Sequence, residues 1–519
     1  MNENIVKYKG NTLSFILLSL FPATLVAGPF VAEVFMNLIV VIFIYNLIKE
    51  KDYVIFKNSI FLFFIFFFVT LILSLIVSDI FKESATNIFF YFRFFLFSFA
   101  ICQIIINNQS KINHLYICLS AIIFIVVLDG YIQFFFDENM LGFRKLRPDR
   151  LSGFFNQDLI LGSYLFRVLP VFIGLTFYLM EKKISKKNEY FYNLNLLLIF
   201  LTIVLIFLSG ERASFFLMLI FLISISILLK IKKWIKSAVS LLIIISVSLI
   251  FTFNPSYKDR YFSQLKNHIF SKPDTTIFFL ANYMPMFETS IKMFKERPFF
   301  GFGPKAFRYY CNDDRFVTLD YSRKLLIDNT VIKPNFSWKE TRNYKIKEII
   351  IKKGDKVNKG DKLFSYYFIG ESENKIKYYL SDKEGIIQSI TPIQGRHINN
   401  TTFAKIKPLE ADEKIFYYRN ACNTHPHNTY IQLLAETGII GFGIVFLLFL
   451  TIAFIILKIF FNNLFNYKKK IVTNFEICLL VNFLIILWPL TTSGNFFNNW
   501  LNIISFYPLG FYLYIYQKK

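Results

Sequence analysis

A short stretch near the end of the chain, residues 421–443, concentrates side chains that could carry chemistry in the sequence ACNTHPHNTYIQLLAETGIIGFG. Its histidines, His425 and His427, have an ordinary pKa of about 6.5, so they can accept a proton or hold a hydroxyl near neutral pH. Pro426 suits a first helical position, which predicts a helix that starts at Thr424 or His425. The imidazoles would then lie at a helix start, where free amides favour an anion.

Arginine and lysine side chains supply a second kind of chemistry, because guanidinium groups are fixed positive forks for phosphate oxygens. Arg212 lies in SGERASFF at 209–216. Ser209 could cap the helix that follows, which would place this guanidinium beside a helix N-terminus. The alternative is that Arg212 has no such role and only extends its charged group from the membrane surface into water. Further basic residues are rival phosphate ligands, namely Lys305, Arg308, Arg147 and Arg150.

Three motifs together resemble those of the O-antigen ligase and O-antigen polymerase superfamily, which are membrane glycosyltransferases that use undecaprenyl-diphosphate-linked glycans. The first, at 427–441, is a His-Asn pair followed after nine residues by a glycine and after two more by another. The second is SGERASFF at 209–216, and the third is ERPFFGFGPKAF at 296–307. The resemblance covers most of the chain, apart from an insert within the largest loop.

This resemblance implies roles for particular residues. His427 and Arg212 match the family's catalytic histidine and its required arginine. His425 and Asn428 would bind substrate or orient their neighbours. The resemblance also implies a transfer that inverts the anomeric carbon, without metal ion or cofactor.

One family feature is missing from the sequence. Many members carry a second arginine at the start of an amphipathic helix, and that position falls here near Asn282 and Tyr283. The sequence therefore does not decide which residue is the second phosphate ligand. Lys305 and Arg308 are one pair of candidates, and Arg147 and Arg150 are the other.

The composition indicates that most of the chain lies in a lipid bilayer. Of 519 residues, 55% are hydrophobic and 67 are Phe, which excludes one soluble globule and predicts an all-α polytopic membrane protein. The formal charge of +23 arises from lysines in short clusters between apolar runs. We therefore predict contact with anionic membrane lipids and no nucleic-acid partner.

Apolar runs predict about twelve transmembrane helices, near 12–28, 30–48, 58–78, 87–107, 113–129, 158–180, 191–208, 212–229, 236–253, 438–458, 473–491 and 498–516. Basic residues of the short loops all fall on one side of these spans: Lys49, Lys51, Lys57, Lys111, Lys182, Lys183, Lys186, Lys187, Lys230, Lys232, Lys233, Lys236, Lys468 to Lys470, Lys518 and Lys519. That side is predicted to be cytoplasmic. Both termini would then be cytoplasmic, and all three motifs would face the periplasm.

Composition also divides the chain into five parts. Membrane helices at 1–253 and 438–519 flank a large periplasmic loop. Within that loop, 254–330 contains an amphipathic helix at 276–297, and 411–437 carries the histidine motif. Residues 331–410 change to short alternating strands, which predicts a small inserted all-β domain.

The inserted segment resembles the two half-repeats of a biotinyl/lipoyl-like barrel-sandwich domain, with turns at Gly354-Asp355 and Gly360-Asp361. Lys383 could in principle be a modified carrier lysine. In the register set by Gly385, however, it precedes the second half-repeat instead of lying at a hairpin tip. A rigid spacer or docking surface is the preferred interpretation.

Charged residues inside the apolar spans need partners, since each is costly in a bilayer. Glu33, Arg93 and Arg167 are such residues. Pairing of Glu33 with one arginine would satisfy both, and a lateral groove for the lipid phosphate is the alternative. Outside the spans, Cys311 and Cys422 are predicted to form a disulfide in an oxidising compartment.

These observations predict a bacterial inner-membrane enzyme that transfers a glycan from undecaprenyl diphosphate to an acceptor on the periplasmic face, with lipid A core as the preferred acceptor. The motifs do not separate this ligase from an O-antigen polymerase, whose acceptor is another lipid-linked glycan. A non-enzymatic flippase or exporter is a third alternative. It would distribute polar residues through the membrane, whereas here they gather on one face.

Overall fold

The computed structural model describes residues 12–51, 53–181, 189–229, 233–265, 283–326, 331–332, 344–368, 376–390, 403–407, 416–420, 422–465 and 472–517. The chain divides into two compact units, a helical unit of Met1–Thr318 with Ala421–Lys519 and a β unit of Leu319–Asn420. Asn282 lies outside the described residues, as do the lysine clusters at 182–187, 230–232 and 468–470 and the lysines at 518–519.

The helical unit contains fourteen helices of nine or more residues among the described residues. They are α1 Thr12–Ala27, α2 Pro29–Glu50, α3 Ser59–Ile76, α4 Phe81–Phe89, α5 Phe92–Asn107, α6 Ile112–Phe136, α7 Leu161–Glu181, α8 Glu189–Leu208, α9 Arg212–Leu228, α10 Lys233–Phe253, α11 Met284–Glu296, α12 Thr429–Leu464, α13 Asn474–Ile486 and α14 Asn499–Gln517. Short helical turns occur at Pro255–Lys258 and Phe307–Tyr310.

Each of the twelve predicted spans overlaps one of these helices. Among the described residues, six helices are long and apolar enough to cross a membrane. A seventh candidate is the pair Val239–Phe253 and Pro255–Ser263, which is bent by 109°. The structure thus supports a mostly helical, multi-pass membrane protein, while the number twelve stays a prediction.

Large apolar side chains cover the outside of the helical unit as well as its core. Phe30, Phe66 and Ile76 are 78%, 67% and 67% exposed, whereas Phe21 and Phe97 are fully buried. In water such a surface would be costly. It is the surface expected of helices whose outer faces contact lipid tails.

Local sequence explains where several helices begin. Pro29 occupies the first turn of α2, where its missing amide costs nothing. The Asn58 side chain accepts a hydrogen bond from the Phe61 amide and caps α3. Thr473 caps α13 in the same way through the Glu476 amide.

The longest helix, α12, is broken at Gly438. The residue has φ of 65° and ψ of −168°, so the two halves are separate helical segments. A Cβ at this position would lie 2.3 Å from the Phe299 carbonyl oxygen. Glycine is therefore required both by the backbone conformation and by the close approach of the chain.

The backbone groups released by this break are paired by residues 298–303. The amides of Phe302 and Gly303 donate to the carbonyl oxygens of Ala435 and Glu436 at 3.1 and 2.9 Å. On the other side of the break, the Ile439 amide donates to the Pro298 carbonyl at 2.7 Å. These bonds satisfy the helix ends, and they join two of the sequence motifs directly.

The amphipathic helix is observed as α11, and its buried face differs in part from the prediction. The apolar spacing predicts one face with Met284, Phe287, Ile291 and Phe294. Of these, Phe287 is buried and Ile291 is 39% exposed, whereas Met293, which is not in that set, is fully buried. Met293 belongs to a small core that also contains Phe302 and Ala435. The face is set by packing against α12 and the 298–303 segment, which periodicity alone could not indicate.

The β unit consists of nine short strands among the described residues. They are β1 Leu319–Leu326, β2 Val331–Ile332, β3 Tyr344–Ile349, β4 Lys356–Val357, β5 Lys362–Phe368, β6 Lys377–Leu380, β7 Gly385–Ile390, β8 Ala404–Lys407 and β9 Phe416–Asn420. All pairings are antiparallel. The strands form three sheets, ordered β1-β9, β2-β8-β7-β4 and β3-β5-β6.

Two turns of the β unit share one hydrogen-bonding pattern. The Asp355 side chain accepts from the Lys352 amide, and the Asp361 side chain accepts from the Asn358 amide, each at 2.7 Å. The predicted turns at both glycine-aspartate pairs are therefore present. Lys383 lies between β6 and β7, which belong to different sheets, so it is not at the tip of a hairpin. The barrel-sandwich assignment itself stays a prediction.

The β unit has its own core, which includes Ile332, Val357, Leu363, Phe364, Ile387 and Ile406. It also extends beyond the predicted limits of 331–410, because β1 and β9 pair and bring Leu319 opposite Asn420. Residues paired in this way have Cα atoms about 5 Å apart. A short linker could therefore replace the whole unit.

We expect that deleting 319–420 and joining the ends by a short Gly-Ser linker leaves a folded membrane protein, since a unit with its own core is an independent domain. Size-exclusion chromatography of the purified variant should give one monodisperse peak. The shorter deletion of 331–410 is the matched comparison, because it leaves β1 and β9 without the strands between them. Failure of both variants to insert would show that the β unit is integral to the fold.

Candidate active site

Residues 422–428, which we call the histidine segment, are not helical, contrary to the prediction. The helix begins at Thr429, and Asn428 is its N-cap, with a side-chain oxygen that accepts from the amides of Tyr430 and Ile431. His427 has a positive φ of 61°. The predicted start at Thr424 or His425 was wrong because the Asn428 side chain satisfies the free amides of a helix that begins at Thr429.

A second segment, residues 489–493, holds the histidine segment in place. The Asn428 side-chain amide donates to the Pro489 carbonyl at 2.9 Å and to the Thr491 carbonyl at 3.3 Å. The Ser493 amide donates to the His427 carbonyl at 2.9 Å. Asn428 thus positions its neighbours through both halves of its side chain, and its amide is not available to a substrate.

Hydrogen bonds define which nitrogen of His427 is free of a proton. The Asn423 side-chain oxygen accepts from the Thr424 amide at 2.7 Å, so its NH2 group faces Nε2 of His427 at 2.9 Å. A ring nitrogen that faces a donor must present its lone pair. Burial lowers the pKa of His427, so the imidazole is neutral at neutral pH with Nε2 as acceptor.

His425 has partners for both ring nitrogens. Nδ1 lies 3.0 Å from the Thr424 hydroxyl, and Nε2 lies 3.3 Å from the Ser493 carbonyl oxygen, to which it must donate. Burial, with a smaller contribution from His427, lowers the pKa of His425 to about 4. This side chain is neutral and anchored, which favours a structural or orienting part over a catalytic one.

Five side chains are linked by successive neighbour interactions from Arg212 to Arg308, and we call this set the Arg212–Arg308 row. The His425 and His427 ring centres are 4.2 Å apart. The ring of Tyr283 lies 5.0 Å from that of His427. Tyr283 interacts electrostatically with Arg212, and Arg308 lies close enough to His425 to contribute to the lowering of its pKa. Each histidine is thus connected to one cation, His427 through Tyr283 to Arg212, and His425 directly to Arg308.

Arg212 is held at a tight turn between α8 and α9. Gly210 has φ of 68°, and a Cβ there would lie 2.1 Å from the Asp149 carbonyl oxygen, so this turn requires glycine. Ser209 does not cap α9, since its hydroxyl donates to the Ile206 carbonyl at 2.7 Å and accepts from the amide of Glu211, which precedes the helix, at 3.3 Å. Glu211 occupies the cap position instead.

The side chain of Glu211 joins two helix starts. It accepts from the Gly162 amide at 2.7 Å, at the beginning of α7, and from the Ser214 hydroxyl at 3.1 Å in α9. Burial raises the pKa of Glu211, and the nearby Arg150 opposes that shift. The Glu211 carboxylate therefore fixes the turn beside Arg212 through hydrogen bonds at both helix starts.

The loop that carries Arg147 and Arg150 packs against this turn. Arg150 donates to the Leu159 carbonyl at 2.9 Å, and burial lowers its pKa. Arg147 is about half-exposed and pairs with Asp149 at 3.3 Å. The structure thus brings both arginines near Arg212, with Asp149 among them.

Lys305 lies on the other side of the site, near Arg308. Its Nζ donates to the Asn87 side chain, its backbone amide donates to the Glu436 carboxylate at 2.9 Å, and burial lowers its pKa. The structure therefore separates the rival phosphate ligands into two groups. Arg147 and Arg150 accompany Arg212, and Lys305 accompanies Arg308.

The three charged residues of the apolar spans do not form one group. Arg93 forms a salt bridge with Glu33, which also accepts from the Asn499 side chain at 3.2 Å. Arg167 lies beside Glu211 instead, and its guanidinium stacks 4.3 Å over the ring of Phe166. The predicted pairing of Glu33 with one arginine is therefore present, and it accounts for both Glu33 and Arg93.

Cys311 and Cys422 form a disulfide, with Cα atoms 5.1 Å apart and a sequence separation of 111. Cys311 is fully buried in the small core that contains Met293 and Phe302. In the loop-entropy account, such a crosslink contributes about 4 to 5 kcal/mol. It ties the chain just after the 301–308 loop to the histidine segment.

We expect an alkylated, non-reduced digest of the native protein to contain one peptide pair linked through Cys311 and Cys422. Mass spectrometry should find no carbamidomethyl label on either residue. Cys118, which is a free cysteine, should carry the label after denaturation and serves as the internal control. Label on both loop cysteines would mean that packing alone holds the two segments together.

Two charged residues of the site, Arg260 and Glu436, were not predicted from the sequence. Arg260 is buried, donates to the Gly210 carbonyl at 2.7 Å and pairs with Asp149 at 3.4 Å. Glu436 is fully buried next to the break in α12. Glu436 could have been identified as a carboxylate near the start of an apolar run. Nothing in the sequence distinguishes Arg260 from other loop arginines.

Within the described part of the chain, no three His, Cys, Asp or Glu side chains come together in a way that could hold a metal ion.

A family model described as O-antigen ligase matches residues 197–325. The matched stretch contains Arg212, Arg260, Tyr283, Lys305 and Arg308, and it ends before the histidine segment. No curated protein matches the chain.

Proposed function

We propose, from the chain's membership of the O-antigen ligase and polymerase superfamily of membrane proteins, that it moves a glycan from undecaprenyl diphosphate to lipid A core. The reaction would take place on the periplasmic face of the bacterial inner membrane. The observation that supports the proposal is the Arg212–Arg308 row, in which a neutral histidine pair has cations among its neighbours.

His427 is proposed as the general base. Its Nε2 lone pair faces the Asn423 amide, and an acceptor hydroxyl that displaces this amide would meet the same lone pair. The hydroxyl proton would pass to Nε2 while the hydroxyl oxygen bonds to the anomeric carbon. The bond from that carbon to the phosphate oxygen breaks on the opposite face, so the configuration inverts.

Arg212 is proposed to bind the diphosphate that leaves. The leaving group gains negative charge as the glycosidic bond breaks, and a fixed guanidinium stabilises that charge without reorganising. Arg150 and Arg147 lie on the same side of the site and add positive potential. These groups supply the stabilisation that the reaction needs, and the proposed mechanism is metal-independent and uses no cofactor.

The pH dependence of transfer offers a test of this role for His427. Burial lowers the pKa of His427, so the deprotonated base persists below the ordinary histidine value. The acidic limb of the rate profile should therefore lie below about pH 6.5. Asn423→Asp would place a carboxylate beside Nε2 of His427. This carboxylate would raise the pKa of His427 and keep a proton on Nε2.

We expect Asn423→Asp to lower kcat and to move the acidic limb to higher pH. Asn423→Ala is the control, because it removes the amide without adding charge and should leave the limb in place. Initial rates of transfer with purified lipid-linked donor, measured between pH 5 and pH 9, check both variants. An acidic limb that is the same in the Asp variant and the wild type would contradict the assignment of Nε2 as base.

Gel analysis of surface polysaccharide in a deletion strain tests the choice of acceptor. Loss of attached polymer with accumulation of lipid-linked polymer supports the ligase. Single attached repeat units would instead identify the polymerase. Normal polysaccharide on the surface would contradict both.

A further inference from the structure

Glu436 is a fully buried carboxylate with three N–H donors. One oxygen accepts from the Lys305 amide and from the Gln432 side chain, each at 2.9 Å. The other oxygen accepts from the Phe307 amide at 3.0 Å. Burying a carboxylate is costly unless it is hydrogen-bonded, so these contacts are the reason that the charge can lie here.

These bonds hold the turn at 305–307, where the Ala306 and Phe307 side chains are also packed in the small core. The chain as far as Gly303 is paired with α12 through backbone hydrogen bonds. Beyond it, Lys305 has φ of 65°, an uncommon conformation for a residue with a side chain. The Glu436 carboxylate binds the amides on both sides of Ala306 and thereby holds this turn.

The same carboxylate is connected to the segment that anchors the histidines. The Gln432 side chain donates to Asn495 at 2.9 Å and accepts from the Phe496 amide at 2.9 Å. These residues lie two and three positions after Ser493, which bonds both the His427 carbonyl and the His425 ring. One buried polar network therefore sets the loop and the histidines relative to each other.

Arg308, one residue beyond Phe307, is exposed and interacts electrostatically with both His425 and Glu436. It lies at the opposite end of the row from Arg212, so the two guanidinium groups can serve different groups of the substrates. We propose that Glu436 is a positioning residue that holds Arg308 beside the histidine pair, where Arg308 binds an anionic group of the acceptor. This inference rests on the proposed transferase function.

The first measurement is hydrogen exchange of the full-length protein in lipid nanodiscs. Glu436→Gln keeps the size of the side chain but turns an NH2 group toward one of the two loop amides. Exchange in the peptide that covers 301–311 should become about tenfold faster, because a buried hydrogen bond is lost. Glu476→Gln, which changes another buried helix glutamate, should leave this peptide unchanged.

The second measurement is the kinetics of transfer with each substrate varied in turn. Glu436→Gln should raise the KM for the acceptor by about tenfold, with little change in the KM for the lipid-linked donor. Arg308→Ala should raise the acceptor KM equally and leave the exchange rate of 301–311 unchanged. A purely structural role for Glu436 would instead lower kcat and affect both substrates alike.

A double substitution separates hydrogen bonding from charge. Glu436→Gln with Gln432→Glu keeps the net charge of this network but returns no carboxylate to the loop amides. We expect it not to restore the acceptor KM. Restoration, an unchanged exchange rate in Glu436→Gln, or an unchanged acceptor KM in either single variant would overturn the inference. A wild-type protein without transfer activity would instead refute the proposed function, and the exchange data would still report whether Glu436 holds the loop.

Discussion

His427→Ala should lower the rate of glycan transfer by about a hundredfold to ten-thousandfold, the range over which a general base contributes. The loss should fall on kcat, because the substitution removes the lone pair that accepts the hydroxyl proton and leaves the arginines in place. The protein should still insert, since the residue lies in a loop and contributes little packing volume. Single-turnover rates with purified donor and acceptor check the expectation.

Two further variants make this result specific. His114→Ala, in α6, removes an exposed histidine outside the site and should behave as the wild type. His425→Asn should be less damaging than His427→Ala, because its ring contacts the Thr424 hydroxyl and the Ser493 carbonyl instead of carrying the base. Full activity in the purified His427→Ala variant would refute the catalytic assignment.

Arg212→Ala should reduce kcat/KM for the lipid-linked donor by about ten- to a hundredfold, since a hydrogen bond to a charged group contributes about 1.5 to 3 kcal/mol. Arg212→Lys should fall between this variant and the wild type, because lysine keeps the charge but loses the planar fork. Donor titrations at fixed acceptor concentration measure both effects.

Arg144→Ala is the matched control for charge. Its side chain is 83% exposed in the same basic region, and it pairs with Glu138 at 2.5 Å. An exposed pair of this kind contributes little, so donor kinetics should not change. Equal losses in Arg144→Ala and Arg212→Ala would mean that general surface potential, and not a specific contact, attracts the donor.

Much of the helical architecture could be predicted because its causes are local. Long apolar runs become helices wherever lipid is the solvent, and the break at Gly438 follows from a residue type that tolerates positive φ. The turns at Asp355 and Asp361 are equally local, since each aspartate bonds an amide three residues away.

The features that the sequence could not supply depend on distant partners. Asn428, and not Pro426, defines the helix start because residues 489–493 hold the preceding turn away from a helix. Arg260 and Glu436 acquire their importance from Gly210 and Lys305, which are remote in the chain. No periodicity or spacing rule reports such pairings.

The disulfide between Cys311 and Cys422 also makes the β unit a covalent side branch. All of Leu319–Asn420 lies between the two cysteines, so a protease cut anywhere in it leaves both halves of the helical unit in one molecule. Only reduction would separate them on a gel. In evolution the same crosslink would let this branch vary, lengthen or be exchanged for another module without uncoupling the segments it spans. For protein engineering, it marks the place where a reporter or affinity domain could be inserted.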